Sequence, residues 1–179
     1  MTRFSPDSKL VAVAGVGHIR VWGAKTGRDL FTANHRVHFG ATVFSVSFSP
    51  DSRRLVTAGA NTEAVIWDTS TGNELMALRH RIRLNCATYS PDGKWVATGT
   101  RNGTVMLWDA AKGRSHLTLR EHSGDVRVRF TPDGNRLVST GKDGVIKVWD
   151  ITGIVAETNE GSKDRKFADE KMEQKTLSK

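Results

Sequence analysis

Apolar and polar residues alternate in short runs along residues 1–150, and each run ends in a tight-turn signal. The run Val145-Ile146-Lys147-Val148-Trp149 sends successive side chains to opposite faces, the period of two that a half-buried strand requires. Leu55-Val56-Thr57 and Leu137-Val138-Ser139 are β-rich runs of the same kind. Asn102-Gly103 and Asp143-Gly144 are strong hairpin signals, because both residues tolerate positive φ. Pro-Asp-Gly at 91–93 and 132–134 and Pro-Asp-Ser at 6–8 and 50–52 suit tight turns in which proline presets φ. Further turns fall at Lys25-Thr26-Gly27, Thr71-Gly72 and Lys112-Gly113. Strands expected at Glu74–Leu78 and His116–Leu119, and at Val43–Phe48 and Leu84–Tyr89, complete units of four antiparallel strands. No helical period is visible up to residue 152.

The units are repeats. Phe4-Ser5-Pro6-Asp7, Phe48-Ser49-Pro50-Asp51, Tyr89-Ser90-Pro91-Asp92 and Phe130-Thr131-Pro132-Asp133 follow one another at steps of 44, 41 and 41 residues. Trp22 follows the first copy by 18 residues, and Trp67, Trp108 and Trp149 follow the others by 19. Asp68, Asp109 and Asp150 come directly after the last three tryptophans, whereas Gly23 follows Trp22.

Period, turn and Trp-Asp pair together resemble the WD-repeat β-propeller family over residues 1 to about 152. The resemblance implies an all-β fold of propeller blades, each of four antiparallel strands, in an incomplete ring of about 3.5–4 blades. At most three blades are expected to be full, because the first inner strand is nearly absent before Phe4. The outer strand after Trp149 is reduced to the poorly alternating Thr152–Glu157. The partial propeller is assigned to residues 1–158. The charged segment 159–179 is read as a disordered tail or a frayed helix. The mid-blade start leads to the expectation of a longer parent chain or of self-association, since an open arc leaves blade faces uncovered.

Composition narrows the functional classes. No apolar run reaches the length of a membrane helix, and Met1–Asp7 carry no apolar leader segment. The single cysteine, Cys86, excludes an internal disulfide and favours a reducing, cytoplasmic setting. The formal charge is +8, and its excess lies before residue 153: residues 1–152 hold 21 Lys/Arg against 13 Asp/Glu, while 153–179 hold six of each. This excess reads either as a solvated arginine-rich surface or as attraction for an acidic partner such as a nucleic acid.

His122, Ser139 and Asp143 imitate a base, nucleophile and orienter. The family resemblance implies a structural chain instead, in which histidine, hydroxyl, turn aspartate and the Trp149 indole tie three strands together. His80, Thr98, Asn102 and Trp108 form the expected third-repeat version, and Thr57, Asn61 and Trp67 the second, with His38 as its histidine. Counted to the Phe/Tyr position, His122 stands eight residues before Phe130 and His80 nine before Tyr89, which places the His122 link in question. Trp22 belongs to a repeat with no such set. His35 and His38 in the longest loop lack the Cys or acidic neighbours of a metal site, and Cys86 reads as an inert core thiol. No catalytic residue, metal or cofactor is therefore expected.

By position in the family, the partner-binding face would carry Thr42, Phe44, Arg83, Asn85, Arg101 and Lys142. The expected function is a non-catalytic protein–protein interaction scaffold that forms part of a larger regulatory protein. Its partner would be another protein, an acidic one suiting the charge. The alternative is a basic module that holds an anion or nucleic acid.

Overall fold

The computed structural model describes residues 1–35, 42–120, 122–157 and 175–177. They form four sheets of four antiparallel strands. The first holds β1 (Thr2–Phe4), β2 (Leu10–Ala14), β3 (His18–Gly23) and β4 (Asp29–Asn34). The second holds β5 (Val43–Phe48), β6 (Arg54–Gly59), β7 (Glu63–Asp68) and β8 (Glu74–Arg79). The third holds β9 (Leu84–Tyr89), β10 (Trp95–Thr100), β11 (Thr104–Asp109) and β12 (Ser115–Arg120). The fourth holds β13 (Val126–Phe130), β14 (Arg136–Gly141), β15 (Ile146–Asp150) and β16 (Lys175–Leu177), with a short helix α1 (Thr152–Glu157) between the last two.

Strand order equals chain order in every sheet, so each turn connects neighbours and the turn residues set the register. Gly93 and Gly134 take φ of 73° and 74° at the third position of their turns, and Ser8 and Ser52 accept 59° and 62° at the same place. The preceding serines brace these turns: the hydroxyls of Ser49 and Ser90 donate to Asp51 and Asp92 at 2.6 Å while accepting the amides of Arg54 and Trp95. The aspartates after the tryptophans brace the next turn, Asp68 accepting the amides of Ser70 and Thr71 and Asp109 those of Ala111 and Lys112.

Each sheet packs on the next through an apolar layer. Ala12, Ile19 and Val21 meet Leu55, Val65 and Trp67; Val56, Ile66 and Leu78 meet Leu84, Tyr89 and Trp108; Ala97, Leu107 and Leu119 meet Val126, Leu137 and Trp149. The tryptophan face of a blade thus always looks at the preceding blade. β10 is buried along both faces, which explains its small residues. A Cβ on Gly99 would stand 2.5 Å from the Val126 carbonyl, so glycine there permits a close approach of the third and fourth blades. The sheets do not close into a ring. On the flank of the first blade Phe4 is exposed, and on that of the fourth Arg127 and Arg129 are exposed.

Two expectations at the ends are corrected. Four sheets are four-stranded where at most three full blades were expected, because Thr2–Phe4 supplies an inner strand and Lys175–Leu177 pairs with β15. Thr152–Glu157, the degenerate outer strand, is helical. The free side of β15 can be paired by any extended segment in register, here Lys175–Leu177, and sequence position places no limit on which one. Apart from Lys175–Leu177, which is a strand, the segment 159–179 lies outside the described residues.

Candidate functional site

Three buried polar groups sit beneath one rim of the blades. In the fourth blade His122 Nε2 lies 2.8 Å from Ser139 Oγ, and the Trp149 indole N–H donates to the same oxygen at 2.9 Å. His122 Nδ1 faces the Asp143 carboxylate at 3.1 and 3.2 Å, and the Ser123 amide also donates to it. The amides of Val145 and Ser123, followed by the bond from His122, hold the Asp143 carboxyl below its ordinary value.

The third blade makes the same core without an acid. Thr98 Oγ1 lies 2.8 Å from His80 Nε2 and accepts the Trp108 N–H at 3.0 Å, while His80 Nδ1 faces the Leu78 carbonyl at 2.9 Å. Burial pushes His80 down to about 4, so it is neutral at neutral pH. Asn102 does not stand in for the aspartate as expected: its side-chain oxygen accepts the Thr100 hydroxyl at 2.7 Å. Thr100 gives the amide a partner two residues away, a shorter reach than the histidine.

In the second blade Trp67 donates to Thr57 at 2.8 Å, and His35, 2% exposed, faces the Asn61 amide nitrogen at 3.2 Å. His35 is therefore a core histidine, and burial lowers its pKa. His38 lies outside the described residues. In the first blade Val13 occupies the hydroxyl position, and half-buried Trp22 is covered by the Arg20 guanidinium 5.5 Å from its ring.

The link through His122, questioned on spacing, is made. Both histidines stand four residues before their inner strand, at Leu84 and Val126; the residue that differs lies inside the strand. β9 carries a bulge at Asn85, since Thr100 pairs with Leu84 and Gly99 with Cys86, whereas β13 pairs without interruption. Counting to the strand start would have removed the discrepancy.

The triad-like set is closed to chemistry of the hydrolase kind. Ser139 is 0% exposed, and its oxygen already engages both an indole and an imidazole, which leaves no approach for a carbonyl substrate. Among the described residues no group of three His, Cys, Asp or Glu side chains could hold a metal. Cys86 is buried, its sulfur accepts the Val128 amide at 3.3 Å, and burial pushes its thiol pKa up.

The six face residues lie along one rim. Thr42, Arg83 and Asp125 hold equivalent places, their carbonyls accepting the amides of Ala60, Arg101 and Lys142. Phe44 and Asn85 are both bulge residues, which turns their side chains out of the ladder. Arg101 lies over the Phe44 ring at 5.3 Å and bridges the second and third blades. Asn85 donates to the Val126 carbonyl at 3.3 Å and bridges the third and fourth. Arg83, Arg101 and Lys142 are exposed.

A family model described as WD domain, G-beta repeat matches residues 31–68, 72–109 and 113–150. Each match begins with the outer strand of one sheet and continues through the inner three of the next. Among curated proteins, the chain is similar to WD repeat-containing protein 1 of Xenopus tropicalis, 36% identical over 73 residues. It is also similar to the Gallus gallus protein, 34% identical over 73 residues, and to the Mus musculus protein, 31% over 72. Each alignment covers 40% of this chain and 12% of the relative.

Proposed function

The chain belongs to the WD-domain, G-beta repeat family, and from that membership we propose that it acts as a non-catalytic scaffold that binds another protein through the rim of Thr42, Phe44, Arg83, Asn85, Arg101 and Lys142. WD repeats are generally protein-interaction scaffolds. The observation that carries the reading is the pair of inter-blade bridges, Arg101 over Phe44 and Asn85 to Val126, which join residues of three blades into one surface. A rigid surface loses little side-chain entropy on binding, and its three exposed cations suit an acidic partner segment. Work as part of a larger regulatory protein in a cytoplasmic setting belongs to the same proposal.

Changing Arg83, Arg101 and Lys142 together to Ser tests it. Partners recovered from cells of the source organism with the wild-type chain should be depleted at least about tenfold with the variant, while circular dichroism is unchanged. Undiminished recovery would remove the rim from the proposal. Steep salt dependence and a nucleic acid in the recovered material would favour the basic anion-binding alternative.

A further inference from the structure

A second surface begins beside this rim, at Arg81, Ile82, Thr100 and Asn102, and shares none of its six residues. Where the third blade faces the second, a cleft of about 810 Å³ is lined by Arg79, Arg81, Arg114, Arg120, Met106 and Trp108. Among the described residues no carboxylate lines it. Arg79 is paired with Glu63 at 3.3 Å, and among the described residues no ion pair reaches Arg81, Arg114 or Arg120. Three unneutralised guanidinium forks therefore share one concave site, while His80 in the same wall adds no charge at neutral pH.

The wall has a direction. In the register of β11 and β12, Thr118 and Arg120 pair with Met106 and Thr104, so they share a face with those cleft residues. Arg114 directly precedes β12 and Arg120 ends it, six residues apart and about 20 Å when extended. β12 is also the edge of its sheet, with one row of backbone groups unpaired within it. These features fit an extended chain with acidic side chains at separated positions. They fit a nucleic-acid strand poorly, because the cleft aromatic, Trp108, is 5% exposed and packs against His80 at 4.8 Å, which leaves no free ring for a base.

We propose that the cleft between the second and third blades is a binding site for an extended acidic peptide, whose carboxylates are gripped by Arg81, Arg114 and Arg120 and whose backbone runs along β12. The site uses none of the six rim residues, and the proposal does not rest on the scaffold reading built on them.

The test is fluorescence anisotropy on the full 179-residue chain with a labelled decapeptide of alternating glutamate and serine. Two variants remove the same three charges: R81S/R114S/R120S in the cleft and R83S/R101S/K142S on the rim. The cleft variant should lose about tenfold or more in affinity and the rim variant less than about twofold. No saturable binding, or a loss from the rim variant as large as that from the cleft variant, would overturn the site. If the serine cleft variant does not fold, R81K/R114K/R120K keeps the charge, removes the forks, and should still weaken binding at least about threefold. Undiminished binding by that variant would also overturn it. A thymidylate decamer binding more tightly than the peptide, through the same arginines, would overturn the peptide assignment.

Discussion

The third and fourth blades bury a tryptophan against a hydroxyl and a histidine with nearly the same distances, yet they surround the histidine differently. His122 has the Asp143 carboxylate on its far nitrogen, and His80 has only the Leu78 carbonyl. The indole is held equally in both, at 2.9 Å from Ser139 and 3.0 Å from Thr98. The acid is thus not needed to hold the tryptophan. It adds a carboxylate whose own contribution is lost in acid, while the hydroxyl and the packing set whether the blade stands.

The hardest way to break this comparison is to remove the shared element. Trp149→Ala empties a site 1% exposed and should cost about 3–5 kcal/mol, with Trp108→Ala in the same range. Urea unfolding of each variant measures it; a Trp149→Ala protein as stable as wild type would mean that the indole does not hold the blade.

Protons separate the two blades next. His80 is held at about 4 against an ordinary 6.5, so it is neutral in both folded and unfolded chains above pH 6.5. As pH falls from 6.5 toward 4 the unfolded chain takes up a proton that the folded one refuses, and stability declines by up to about 3 kcal/mol. His80→Gln should flatten that slope, leaving the part that comes from His35, which is lowered in the same sense. Asp143, lowered as a carboxylate, loses its contribution only when pH falls through its own folded value, in the more acid range. A slope between pH 6.5 and 4 unaltered by His80→Gln would contradict the contrast.

The smallest effect tests the equality directly. Ser139→Ala and Thr98→Ala each strand an indole N–H and an imidazole nitrogen in a fully buried place, and each should cost about 1–3 kcal/mol. Values alike within error sharpen the comparison. A much larger loss at Ser139, or labelling of Ser139 by a serine-hydrolase reagent in the folded protein, would mean that Asp143 does more than titrate.

Much of this was legible in the residues. Turn chemistry and period placed the strands, because a four-residue turn signal acts on its own neighbours: Asn102-Gly103 must fold where it stands. The tryptophan–hydroxyl pairs were legible for the same reason, since Thr98 and Trp108 are diagonal neighbours on one face of a single hairpin. What escaped depends on distant or competing partners. Lys175–Leu177 closes the last sheet across a long intervening segment, and no local signal marks it. Asn102 had two acceptable partners, and spacing could not rank Thr100 over His80. His35 is separated from Asn61 by 26 residues, so its burial follows from packing between blades. The arginines of the cleft are scattered over two strands and two linkers and meet only after the blades stack.

The offset between matched repeat and sheet has a consequence for how such chains grow. A duplication of one 38-residue match, such as 72–109, copies an outer strand belonging to one blade with three inner strands of its successor. The new copy cannot stand as a free module: it must surrender its first strand backward and wait for the next copy to lend it a fourth. The unit of inheritance is therefore not the unit of folding, and every added copy arrives already dovetailed to both neighbours.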